Sequence, residues 1–458
     1  IGARTYGSIW PDRSVQPEMW QMKKTGQPLS FSMSDVTEGV VELWNRNHYT
    51  NASRYAIRWE LKEDDKVIQS GDLALSTAPL SQELVHIPYK KPALIPGKEY
   101  RLMLHAVLKK DELWAKAGHE VAWEELELPW SLPCSSEEKV QGIPSYSLSE
   151  KELIVSGEGF KYVFNRTDGQ LTSMVVQDME LLESPLRLNL WRAPLANELD
   201  NWNASSARSS NWKEGYEYTV ATDMYSAGIA RLTHQPLSFS VSETTEGVHI
   251  HIIDAELMGK GEKEKKDLYI EGVQNNGIIN HYEYIINSEG TIEIRHVLKP
   301  EGKMPLWFPR IGLTLTVSDA LDQVKWYGRG PQENYPDRKT GYPTGIYAST
   351  VQAMYEPYLM PQDYGLRTDV RWLQLTTDKG IGLQFKMNEW FNFNIYPYST
   401  DNLTKAMYTY QLQKQKGMTL NLDYATTGVG CTARGVFGAY KAMPQEYRRT
   451  ISIKPMMK

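Results

Sequence analysis

At 458 residues the chain has length for about two to four domains with ample core, and a net charge of -6 with both signs interspersed offers no basic stripe for a phosphate backbone. No apolar run reaches membrane-span length and nothing at the start reads as a signal peptide, so the chain reads as soluble, with neither membrane nor nucleic acid as partner. The first residue is Ile1, not Met, which leads us to expect a piece of a longer polypeptide.

The two cysteines, Cys134 and Cys431, lack any metal or redox spacing and read as small core residues. The 14 Trp and 27 Tyr are more telling, because flat aromatic faces stack on sugars, although sheet cores claim most aromatics.

In chain order, short strands are predicted over 29–33, 40–44, 55–61, 66–72, 83–87 and 99–107, separated by turns such as Lys62-Glu-Asp-Asp-Lys66 and Ile95-Pro-Gly-Lys98. Their spacing predicts an immunoglobulin-like β-sandwich over residues 1–130. A Pro-, Ser- and charge-rich stretch, including Leu132-Pro-Cys-Ser-Ser-Glu-Glu-Lys139, reads as a linker over 131–146. From 147 to 458 strands dominate again, at 152–156, 160–165, 171–176, 248–255, 279–287, 291–298, 310–317, 370–376, 381–385, 418–424 and 447–453. Helix signals are confined to 205–214 and 401–413. With no βα rhythm, the fold class is all-β. Residues 147–458 are expected to form a single large antiparallel sandwich, and a (β/α)8 barrel is excluded.

Two loops carry the chemistry-bearing residues. After Trp191-Arg-Ala-Pro194, a polar stretch places Asn197, Glu198, Asp200, Asn201 and Asn203 around Trp202; it reads equally as a solvated loop and as a binding loop. The second runs from a strand at 324–327 into Gly328-Arg-Gly-Pro-Gln-Glu-Asn-Tyr-Pro-Asp-Arg338. Two glycines and two prolines make it rigid and hold Arg329, Glu333, Asp337 and Arg338 together, as a brace or a site.

The run 326–338 resembles the signature of the C-terminal domain of large bacterial β-galactosidases, retaining glycosidases of the glycoside hydrolase family 2 type with a central catalytic barrel. Ile9-Trp-Pro-Asp-Arg13 through Glu18, Gly118-His-Glu-Val-Ala-Trp-Glu124 and Trp191-Arg-Ala-Pro194 are similar to further motifs of that family. The resemblance implies that the second domain is a galactose-mutarotase-like super-sandwich, and that the chain is the C-terminal region of a hydrolase of terminal β-D-galactosides. It would supply one wall of the pocket and homo-oligomer contacts, with its partners a β-galactoside and the barrel-bearing N-terminal half of the same polypeptide.

In the family the loop after Trp-Arg-Ala-Pro lies beside the active site. This marks Asn197, Glu198, Asp200 and Trp202 as substrate-proximal, although Leu195 and Ala196 replace the usual Thr-Asp and Asp200 stands where a hinge glycine is common. Thr427-Gly-Val-Gly-Cys431 resembles the run that precedes a sugar-stacking Trp in the family. Here Thr432-Ala-Arg-Gly435 follows instead, so Arg434 or Phe437 would take that place.

A retaining glycosidase needs two carboxyls about 5–5.5 Å apart, one kept protonated. Glu333 and Asp337 have Arg329 and Arg338 close in sequence to keep them ionised, so they read as a structural network, and no catalytic residue is assigned to this chain. The catalytic glutamates belong, by resemblance, to the barrel, with Mg and Na in that missing half and no cofactor here. His249 and His251 share a strand face without a third ligand, so no metal site is assigned. Gly328-Arg-Gly330 is followed by Pro331, not a helix, and is no dinucleotide fingerprint. Two other readings stand beside the first: a stand-alone carbohydrate-binding or scaffolding protein, and a sugar mutarotase using His281 with Glu283 or His296 with Glu293. The compartment is not specified by the sequence.

Overall fold

Period-two alternation decides where each strand lies, because successive side chains point to opposite faces. In the strand Tyr55–Glu63, Tyr55, Ile57, Trp59 and Leu61 are buried while Arg58 is exposed. The computed structural model describes residues 7–133, 142–199, 224, 227–259, 276–430 and 435–457. The chain divides into two compact units, one of Ile1–Glu138 with Thr340–Gly345 and one of Lys139–Lys339 with Ile346–Lys458.

The first unit stacks two antiparallel sheets. One has the order Leu29–Asp35, Val40–Asn45, Ser81–His86; the other has Lys66–Leu73, Tyr55–Glu63, Tyr100–Leu108, Glu120–Leu128. Leu43, Trp59, Leu102 and Leu104 lie in the single core between them. This is the two-sheet sandwich expected from the strand spacing. The helix Glu18–Thr25, which the sequence reading did not include, has Glu18 in its first turn and Lys23 and Lys24 in its last, complementing its dipole. The excursion Thr340–Gly345 is held here by polar bonds. The Tyr342 hydroxyl donates to the Pro17 carbonyl at 2.5 Å, and the Thr344 N–H donates to the Glu125 carboxylate at 2.7 Å.

In the second unit the five-stranded sheet and the main path of the large sheet are antiparallel. A five-stranded sheet runs Met179–Glu180, Gln170–Val176, Phe160–Asn165, Glu152–Gly157, Ser145–Leu148. The main path of the large sheet runs Leu182–Asn189, Arg310–Val317, Met418–Thr426, Gly382–Tyr396, Tyr447–Met456, Ile292–Glu301, Gly277–Ile286, Gly247–Met258, Leu232–Thr244. Off this path, Gln323–Arg329 pairs with Arg367–Thr376, which pairs in turn with Gly382–Tyr396. One apolar core, including Phe164, Ile250, Leu313, Trp326 and Phe393, runs through this unit. No helix among the described residues is long and apolar enough to cross a membrane.

Several strands differ from the sequence reading: Glu120–Leu128, Ser145–Leu148, Leu182–Asn189 and Thr344–Thr350 were not among those predicted, and two more differ for physical reasons. Leu232–Thr244 was not expected; it is largely exposed, polar and interrupted by a bulge beside Pro236, so it lacks apolar alternation. Gly382–Tyr396 extends well past 385 because it changes partner, pairing with Tyr447–Met456 up to Met387 and with Met418–Thr426 from Asn392. The helix expected over 401–413 is a short α-helix, Thr400–Lys405, capped by Ser399, and then a 3-10 turn. The helix expected over 205–214 lies outside the described residues.

Candidate functional site

The Trp191-Arg-Ala-Pro194 motif turns its cation inward. Arg192 is fully buried and donates to the Thr427 carbonyl at 2.7 Å, the Gly428 carbonyl at 3.2 Å and Glu198 Oε1 at 2.8 Å. The other Glu198 oxygen accepts the Leu195 N–H at 2.9 Å. Glu198 therefore closes the first turn after the motif and faces inward. Asn197 donates from Nδ2 to the Val429 and Gly430 carbonyls at 3.3 and 3.1 Å, tying this loop to the Thr427–Gly430 segment. Asp200 and Trp202 lie outside the described residues, as do Arg434 and both cysteines. Phe437 is 73% exposed, and its carbonyl accepts the Tyr440 N–H; Tyr440 O in turn accepts the Gly428 N–H at 2.9 Å.

The loop after Gln323–Arg329 meets the same segment from another direction. Asp337 accepts the N–H groups of Val429 and Gly430 at 2.8 and 2.7 Å, a carboxylate seated on two backbone amides. Gly428 must be glycine, since a Cβ there would lie 2.3 Å from the Asp337 carboxyl carbon. Glu333, 1% exposed, accepts Arg338 Nη2 at 3.0 Å, the Tyr358 hydroxyl at 2.5 Å and the Gly365 N–H at 2.6 Å. Arg329 reaches beyond its own loop. Its Nε donates to Asp369 at 2.7 Å, and Lys339 Nζ donates to both oxygens of the same carboxylate. Burial would raise the Asp369 carboxyl, but Arg329 and Lys339 together hold it below the ordinary range.

Tyr335, buried between these groups, has the Arg192 guanidinium 5.7 Å and the Arg338 guanidinium 5.5 Å from its ring centre. Burial, with Glu333 and Asp363 nearby, pushes its hydroxyl well above 10.

Beneath the loops lies a polar web that the sequence reading missed. Arg310, fully buried, donates to Asp363 at 3.2 Å and sits 3.4 Å from Asp423. Asn394 donates to Asp363 at 3.0 Å and accepts from Asn421 at 2.9 Å. Burial pushes the Asp423 carboxyl up to about 6 while Arg310 acts the other way. Polar residues interrupting apolar strands, such as Asn421 and Asp423 between Leu420, Leu422 and Tyr424, were the available signal. Beside this web opens a cleft of about 610 Å³, bordered by Lys339, Asp369, Asn392 and Thr426, with half-exposed Trp390 and Tyr440 on its walls.

For the two mutarotase pairs the geometry gives no free acid and base. His296 is 1% exposed, hydrogen-bonded to Tyr424 and Asn280, and pushed down to about 3 by burial. Glu283 and Glu293 both pair with Arg295.

Fold and site together define an all-β region whose loop acids, Glu333 and Asp337, hold backbone and side-chain donors in place. Comparison with known proteins gives the family. The family described as beta galactosidase small chain matches residues 156–453, and beta-galactosidase, domain 4 matches residues 41–129. The chain belongs to the beta-galactosidase small chain family. It is 29% identical over 425 residues to a β-galactosidase of Priestia megaterium (strain DSM 319 / IMG 1521), covering 93% of this chain and 38% of that protein. A β-galactosidase of Psychromonas ingrahamii is 28% identical, with 93% and 39% covered. The chain thus spans about two-fifths of the length of the curated relatives it matches. Among solved structures, a putative aldose 1-epimerase from Escherichia coli K12 overlays with a TM-score of 0.33 at 8% identity, covering 66% of this chain and 97% of that one.

Proposed function

We propose that the chain is the C-terminal region of a β-galactosidase, and that the complete polypeptide hydrolyses terminal β-D-galactosides with retention. The observation that carries this is the match to relatives of that name over 93% of the chain but only 38% of the relative's length, joined to the way the acids here are used. Glu333 has three donors and Asp337 two, so both carboxylates are engaged in holding the loops together. The nucleophile and the acid then come from the rest of the polypeptide, as would Mg and Na.

On this reading the chain's own residues shape one wall of the sugar site. Arg192, Asn197 and Asp337 converge on Thr427–Gly430, and the candidates for contact with a galactoside are Trp202, Arg434 and Phe437. The test is kinetic. In the complete polypeptide, Asn197→Ala frees one loop from Val429 and Gly430; it is expected to raise KM or lower kcat for an aryl β-galactoside several-fold with little change in melting temperature. Unchanged kinetics, or a complete polypeptide with no such activity, would overturn the proposal.

A further inference from the structure

A second polar cluster lies on the large sheet and shares no residue with the loop system. Asp254 and Glu256 are two apart on the strand Gly247–Met258 and therefore share a face, and His234 on Leu232–Thr244 is the register partner of Glu256. Both acids are nearly sequestered, at 5% and 3% exposure. His234 Nδ1 lies 2.8 Å from Glu256 Oε1, while its Nε2 lies 2.6 Å from the Asp168 carbonyl. A carbonyl only accepts, so Nε2 carries the hydrogen and Nδ1 is the nitrogen that faces Glu256. Asp254 Oδ1 accepts from Asn280 at 2.7 Å, and Asn280 is itself oriented by His296 at 3.1 Å. One ligand atom from each of His234, Asp254 and Glu256 lies within 4.8 Å of the others.

Two adjacent buried carboxylates repel unless a cation joins them. Among the described residues no Lys or Arg pairs with either acid; the one ion pair is that of His234 with Glu256, and a divalent cation would take the place of the Nδ1 proton in it. A ring nitrogen anchored through its other N–H to a backbone carbonyl is also the usual support of a histidine ligand. The contrast is the cluster of His249, His251 and Glu283, whose atoms are equally close. There Arg295 binds Glu283 at 3.1 Å and would repel a cation.

We propose that His234, Asp254 and Glu256 form a divalent-cation site suited to a first-row metal such as Zn²⁺, with one nitrogen and two carboxylate ligands and water completing the shell. The site departs from the sequence reading, which assigned no metal to this chain, and it does not depend on the galactosidase proposal. Its role is to cross-link the edge strand Leu232–Thr244 to its neighbour.

The test is titration of the metal-free chain with Zn²⁺, followed by calorimetry, with folding of every variant checked by circular dichroism. One Zn²⁺ per chain is expected, with affinity lowered about tenfold or more in Asp254→Asn and in Glu256→Gln, and unchanged in His249→Ala. Absence of stoichiometric binding, or binding that survives both acid variants but is lost in His249→Ala, overturns the site. Should an acid variant fail to fold, X-ray absorption at the zinc edge of the wild-type chain decides. A shell containing one imidazole nitrogen supports the assignment, and an all-oxygen shell contradicts it.

Discussion

The Asp337 carboxylate accepts the backbone N–H of Val429 at 2.8 Å, joining two loops that are 92 residues apart in sequence. Gly430 supplies the second N–H at 2.7 Å, so a single side chain holds two consecutive amides of the Thr427–Gly430 segment. Asp337→Ala leaves two amides without their acceptor and is expected to cost about 1–3 kcal/mol in urea unfolding. Gly428→Ala pushes a methyl group against the same carboxylate and should reproduce the effect. Full stability in both variants would mean that the contact holds nothing.

Glu333→Ala is expected to be more damaging. It removes the acceptor shared by Arg338, which is 11% exposed, the Tyr358 hydroxyl and the Gly365 N–H, and breaking one half of a buried pair costs about 3–5 kcal/mol. Thermal unfolding of the purified variant checks this. Unchanged stability with loss of sugar binding would instead make the loop a ligand site.

Asp423 predicts a pH dependence. Its folded value, pushed up to about 6 by burial against an ordinary 3.8, means that the folded state holds this proton more tightly than the unfolded chain does. Its contribution is therefore full below about pH 3.8, is lost as pH rises to about 6, and is flat above that. Asp369, held below 3.8 by Arg329 and Lys339, acts in the opposite sense: its contribution is present above that value and is lost as pH falls through the lower folded value. Denaturation midpoints measured from about pH 4 to 7 should show a descending Asp423 component that Asp423→Asn removes. An identical slope in the variant would contradict the assignment.

How much of this was legible in the sequence depends on the range of the interaction. Tyr55–Glu63 and Arg310–Val317 could be read because alternation is local, and the turn at Asp64 could be read from its residue types. The rigidity of 328–338 was readable from its glycines and prolines, and the pairing of Glu333 with Arg338 from their closeness in sequence, but the partners outside the loop were not. Arg329 reaches Asp369, 40 residues away, and Asp337 uses backbone amides that no side-chain pattern announces. The web of Arg310, Asp363 and Asp423 joins three distant stretches and emerges only once the sheet order brings them together.

Trp202 separates a pocket role from a packing role. In the complete polypeptide, Trp202→Ala is expected to change KM or kcat for aryl β-galactosides several-fold while the melting temperature stays nearly constant. A large loss of stability with normal kinetics would assign the residue to the core.

The most direct measurement is the hydrolysis of an aryl β-galactoside by the purified 458-residue chain alone, with Glu333→Gln as its control. The account predicts a folded chain without turnover, because carboxylates held by Arg338, Tyr358 and backbone amides cannot replace a nucleophile and an acid. Turnover by the chain that disappears in Glu333→Gln would contradict it.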